Sequence, residues 1–249
     1  MYLVKPGWRN LRMGLTPWDQ VNGKDVLRVI EEYGRKCYKS EGSAHEGSAI
    51  PFVQKRIQQG HIALLDHLHI TAEYVCDRGI SHEWLRHKLT EILGSGIVEP
   101  MDDFKPMAVC QESTRYCNYM KSGGVVFVIP PWVRIPEGDY PQDLDGILQV
   151  GYPEFVCSAD YLWFMSAKSS ERAYLGLIQI GWTPQMARGE LLIKTKTEFI
   201  VTCSVTEWRH VMKQRTPNTG PHPQMKELMR PQLLNFQEKL PVLFDDIIL

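Results

Sequence analysis

The strongest constraint on the fold is a long helical run, Glu154 to Ile180, set among short strands that follow no regular order. The run is rich in aromatics and alanine. Gly181 stops it, being a residue that tolerates the left-handed cap position. Elsewhere the apolar period switches between helix and strand. Asp25 to Tyr38 has helical spacing, with Val26, Leu27, Val29, Ile30 and Tyr33 on one side. Ser48 to Gln59 is a shorter helix that ends at Gly60. His67 to Val75 alternates Leu68, Ile70, Ala72 and Tyr74 and reads as a strand, and Arg78 to Leu89 reads as a helix. Cys110 to Tyr119 and Val125 to Ile129 read as strands joined by the turn Lys121-Ser122-Gly123-Gly124, and Pro130-Pro131 ends the second. Thr183 caps a short helix begun by Pro184, Phe199 to Cys203 is a strand, Thr206 caps a helix to Arg215, and Pro223 opens a last helix through about Phe236. Strands and helices without regular alternation imply an α+β fold. We expect a single domain over residues 1–249, with a central mixed or antiparallel sheet flanked by helices. The stretch 89–109 holds Gly94, Gly96, Pro100, Asp102, Asp103 and Pro106 and reads as an inserted loop.

Charge and cysteine usage exclude several classes. The net charge of -1 argues against a diffuse basic surface for long nucleic acid. The six cysteines form no Cys-x-x-Cys pair, so neither a structural zinc site nor any other metal site is expected. No apolar run has the length of a membrane span, and no apolar signal region follows a basic start. The expectation is a reduced, cytoplasmic protein with free thiols. The glycine-rich phosphate loops, the dinucleotide fingerprint and the Gly-x-Ser-x-Gly elbow are all missing.

What remains is an arginine-rich constellation in two halves. Arg86-His87-Lys88 ends one expected helix, and Gln111-Glu112-Ser113-Thr114-Arg115-Tyr116 follows the insert. Arginine presents planar paired donors that match phosphate oxygens. Strand alternation would put Gln111, Ser113 and Arg115 on one face, able to hold a phosphate and the edge of a pyrimidine. Plainer readings stand beside this: a helix end made basic to suit its dipole, and a solvent-facing strand. Arg188 and Arg215 add cations further along. His82 and Glu83 read as an exposed helix face, and His67 as a candidate core histidine. Trp208, Val211 and Met212 form a buried stripe, with Arg209 and Lys213 solvated. Cys110 and Cys117 flank the second cluster and are candidate nucleophiles, provided a base activates them.

The two halves together resemble the motif of the flavin-dependent thymidylate synthases, Arg-His-Arg, a spacer, then Ser-x-Arg-Tyr. Cys37-Tyr38-Lys39-Ser40-Glu41, Gly60-His61 with Leu65-Asp66-His67, and Trp182 through Arg188 are similar to further elements of that family. So are Glu207 through Arg215 and His222-Pro223-Gln224-Met225. The resemblance covers roughly residues 25–235. It implies reductive methylation of dUMP to dTMP, with 5,10-methylenetetrahydrofolate as one-carbon donor and FAD reduced by NADPH. It also implies a homotetramer with active sites at subunit interfaces, and no enzyme cysteine attacking the uracil. By position it assigns Ser113, Arg115 and Arg188 to the dUMP phosphate, with Gln111 and Glu83 lining the same pocket. Arg215 would hold the uracil carbonyl edge, which makes Arg215 and Ser113 the catalytic candidates. Ser40, His61, Asp66, Arg86, His87, Lys88, Tyr116 and His210 would meet the flavin or folate. Two alternatives remain open: a related dUMP hydroxymethylase and a non-catalytic nucleotide-binding relative.

Overall fold

The structure is a computed structural model that describes residues 1–85, 107–140 and 153–249. The triplet Arg86-His87-Lys88 and the expected insert up to residue 106 lie outside the described residues. In chain order the elements are β1 (Tyr2–Val4), β2 (Gly7–Met13), β3 (Thr16–Pro17), α1 (Gly23–Tyr38), α2 (Ala49–Gln58), β4 (His69–Asp77), α3 (Arg78–Trp84), β5 (Met107–Gln111), β6 (Val126–Val128), β7 (Gly138–Asp139), α4 (Ser158–Gln179), α5 (Pro184–Ala187), β8 (Lys196–Ser204), α6 (Val205–Arg215) and α7 (Pro223–Lys239). A three-stranded sheet has the order β6-β1-β7, and a five-stranded sheet the order β3-β2-β4-β8-β5. The α+β expectation is met.

The described chain forms two compact units. One draws on residues 1–7, 74–85, 110–140 and 153–199, the other on 8–73, 107–109 and 200–249. Strands β4 and β8 each contribute to both. Their inward positions alternate as a half-buried strand demands: Ile70, Ala72, Tyr74 and Cys76 in β4, and Thr197, Phe199, Val201 and Cys203 in β8.

In the first unit β1 lies parallel to β6 and antiparallel to β7. Leu3, Phe127, Ile129, Phe164 and Tyr174 form its core. α4 is the long helical run, trimmed to its ordered turns, and Gly181 follows it at a φ of 100° as the stop requires. Gly124, at φ 126°, is required for a second reason. A Cβ there would stand 2.8 Å from Oε1 of Glu171, the oxygen that accepts the Val125 N–H at 2.9 Å. Tyr74, Trp84 and Phe199 pack with ring centroids 5.1–6.2 Å apart, which seats α3 on β4 and β8.

In the second unit Trp208 of α6 packs edge-on against Phe236 of α7 at 5.4 Å and donates Nε1–H to the Ile70 carbonyl. Arg209 departs from expectation. It is 4 % exposed rather than solvated, because the segment after α7 folds over α6. There Arg209 makes two 2.7 Å hydrogen bonds to the Asp246 carboxylate and a third to the Leu243 carbonyl. Burial alone would lift the Asp246 pKa, but the Arg209 hydrogen bonds and charge outweigh it and hold the group below the usual carboxylate range. Asp246→Ala leaves the guanidinium buried and uncompensated. We expect a loss of about 2 kcal/mol in chemical denaturation, discounted from a fully buried pair because Asp246 is partly exposed.

Candidate functional site

The best-defined polar site lies in the first unit, on the turn that leaves edge strand β5. The expected strand from Cys110 to Tyr119 is not formed: pairing stops at Gln111, apart from the Glu112 N–H bonded to the Glu198 carbonyl at 2.8 Å. The reason is local. The Ser113 hydroxyl accepts the Arg115 N–H at 3.2 Å, and the Ser113 carbonyl accepts the N–H groups of Tyr116 and Cys117. A side chain that bonds its own backbone in this way competes with the sheet ladder. Ser113 and Arg115 are therefore brought together by a tight turn rather than by strand alternation.

Arg115 is exposed, and its Nε donates to Oε1 of Gln185 on α5 at 3.0 Å, while its guanidinium lies 5.4 Å from the Tyr116 ring centre. The Tyr116 ring itself is 77 % exposed. Gln111 points inward, donating to the Ser81 hydroxyl at 2.7 Å and the Thr197 hydroxyl at 3.1 Å. Arg188, exposed, opens the short 3-10 turn directly after α5, three residues past Gln185. Glu83 is half-buried in the last turn of α3. Gln185, Ser81 and Thr197 support this site and were not foreseen. The sequence signals for Gln185 were its place next to the helix-opening Pro184 and within the Trp182–Arg188 segment of the family resemblance.

A second group of expected residues sits in the other unit, on α6 and on the segment between α1 and β4. The N-cap of α6 is Ser204, not Thr206: the Ser204 hydroxyl accepts the Glu207 N–H at 3.2 Å and donates to Oδ1 of Asp66 at 3.1 Å. The Thr206 hydroxyl instead donates to the Ile62 carbonyl, tying α6 to the 3-10 turn Ile62–His67. His61 pairs through Nδ1 with the Tyr38 hydroxyl at 2.5 Å, and the two rings stack. Ser40 follows α1, where its carbonyl accepts from Arg35. His210 lies 3.0 Å from the Gln214 amide, and burial, helped by the Lys213 charge, lowers its pKa below the usual imidazole range. Arg215 ends α6, half-buried. His67 is no core residue: it is exposed, with its ring 5.1 Å from Tyr33. Of the cysteines, Cys76 and Cys203 are buried, and burial pushes both thiols up, away from thiolate chemistry. Cys110 is exposed and Cys117 half-buried. Among the described residues no cluster of His, Cys, Asp and Glu is arranged to hold a metal ion, and no helix is long and apolar enough to cross a membrane.

Superposition on solved structures places the chain in the fold class of Thymidylate Synthase X. The structure of that enzyme from Helicobacter pylori, solved with FAD and dUMP, superposes with a TM-score of 0.65 at 14% identity, covering 97% of this chain and 98% of that one. The UMP/dUMP methylase PolB from Streptomyces cacaoi, bound with 5-Br dUMP, gives 0.69 at 14% identity, covering 98% and 96%. No curated protein matches the sequence. The model of the thymidylate synthase complementing protein family matches residues 21–242, and the chain belongs to that family.

Proposed function

We propose that this protein is a flavin-dependent thymidylate synthase. It converts dUMP to dTMP with 5,10-methylenetetrahydrofolate as carbon donor and NADPH as reductant, working as a homotetramer in the cytoplasm. The family match over residues 21–242 supports the reading, and the Ser113–Tyr116 turn carries it. That turn offers a hydroxyl and an exposed guanidinium within three residues. This is the donor set a phosphate monoester needs. Arg188 adds a second cation from a neighbouring subunit. Gln111 and Glu83 line the same pocket, and Arg215 meets the uracil carbonyl edge.

The residues near α6 suit an FAD. Asp66, Ser204 and His210 offer acceptors and a hydroxyl there, and the family resemblance adds Ser40, His61 and Tyr116 to the flavin and folate set. Arg86, His87 and Lys88 complete this set as the basic groups for flavin phosphates or folate. When bound, the flavin supplies the hydride that no side chain can. The chain's own residues hold the uracil so that C5 takes up the methylene and then loses its proton, with negative charge on the ring oxygens met by Arg215.

The deciding experiment combines a flavin absorbance spectrum of the purified protein with a tritium-release assay on dUMP labelled at C5 and the product mass. Flavin absorbance, tritium release and a methylated product support the proposal. A hydroxymethyl product assigns the chain to the hydroxymethylase reading, and absence of both flavin and release to a binding protein. Cys110→Ala is expected to keep activity within about twofold of wild type, since no step requires a thiolate. An inactive Cys110→Ala would point to a covalent cysteine route.

A further inference from the structure

Glu112 sits between Gln111 and Ser113 and is held from four directions. Its N–H donates to the Glu198 carbonyl on β8 at 2.8 Å, and its own carbonyl accepts from Arg78 Nη2, at the start of α3, at 2.9 Å. Its Oε1 accepts the Tyr119 hydroxyl at 2.8 Å. Its Oε2 is buried, has no hydrogen bond among the described residues and lies 3.6 Å from Lys196 Nζ, which also reaches Glu198 at 2.5 Å. No neighbouring residue of the turn ties β8, α3 and the chain beyond the turn together in this way. Lys196, which it shares with Glu198, offsets part of the carboxylate charge and so weakens its repulsion of an anion at the turn.

We propose that Glu112 is a positioning residue. Through Tyr119, Lys196 and Arg78 it holds the Ser113–Arg115 turn in the shape that grips the substrate phosphate. This rests on the reading of that turn as the dUMP phosphate site. Glu112 meets no substrate itself. It acts on where the Ser113 hydroxyl and the Arg115 guanidinium point, and small misplacements of binding groups are costly.

The test is steady-state kinetics, calorimetric dUMP binding and thermal melting of wild type, Glu112→Ala, Glu112→Gln and Tyr119→Phe. Glu112→Ala is expected to raise KM and Kd for dUMP about tenfold, with kcat within about twofold and KM for the folate unchanged. Glu112→Gln should recover most of the loss, because its amide oxygen still accepts from Tyr119. Tyr119→Phe, which removes only the hydroxyl, should raise KM for dUMP about threefold and keeps the test open if the alanine variant fails to fold. Unchanged KM for dUMP in the folded variants overturns the assignment, as does a fall in melting temperature and kcat with KM unmoved. A wild-type protein that binds no dUMP overturns the functional reading and this inference together. Wild-type binding with unaffected variants removes the Glu112 role alone.

Discussion

Arg215→Ala is expected to lower kcat on dUMP about a hundred- to a thousandfold while KM changes little. The argument begins with the helix. α6 is anchored along its length by Trp208, Val211 and Met212, none of them exposed, and by the Arg209–Asp246 pair. The backbone that carries the Arg215 guanidinium is thus firmly seated, and a donor held in place beforehand loses little in reorganisation when charge develops on a substrate oxygen. In the proposed reaction C5 of the uracil attacks the methylene, and negative charge spreads to the ring carbonyls. A charged planar donor stabilises that state more than the neutral ground state, so its removal appears in kcat. Single-turnover rates and dUMP binding separate the two effects. Near wild-type kcat in Arg215→Ala would remove this residue from the mechanism.

The second large effect is on stability against pH, and it centres on Glu207. This side chain is 0 % exposed, and neither carboxylate oxygen has a hydrogen-bond partner among the described residues. Burial first, and the Asp66 charge second, push its pKa to about 7, from 4.5 for the ordinary group. The native state therefore holds a proton that the unfolded chain releases between these values. Stability from this residue is full in acid, falls as pH rises through the window from 4.5 to about 7, and is level above it. The span corresponds to about 3 kcal/mol. In Glu207→Gln that slope is expected to vanish, leaving the variant at least as stable as wild type at about pH 8. Denaturant melts of both proteins at about pH 5 and about pH 8 check this. A variant that retains the full wild-type slope would move the effect to the groups facing it, Asp66 and Cys203.

Much of the fold was legible because it rests on local periodicity. Asp25–Tyr38 became α1, and the run before Gly181 became α4, because amphipathic spacing and a glycine stop are written within one segment. β1, β2, β3 and β7 were missed. β1, β3 and β7 are short, and the Gly-Trp-Arg-Asn-Leu-Arg-Met run of β2 is mostly half-exposed and carries no alternation. The helix after β8 was found, but its cap was placed two residues late. Ser204 and Thr206 are both competent caps, and only the tertiary bonds to Asp66 and Ile62 decide between them.

The site divides in the same way. Ser113 and Arg115 were identified correctly as neighbours but for the wrong geometric reason, since a hydroxyl bonding its own backbone breaks the strand. Gln185 is 70 residues from Arg115, Ser204 is 138 from Asp66, and Asp246 is 37 from Arg209. No periodicity encodes such partners. That is why Arg209 read as solvated when it is among the most buried charges of the chain.

Because β4 and β8 each lend residues to both compact units, neither unit corresponds to a contiguous stretch of gene. A truncation meant to isolate one of them would end in the middle of a strand and leave raw backbone donors and acceptors open to aggregation. Engineers who wish to shuffle or miniaturise this scaffold must carry it whole.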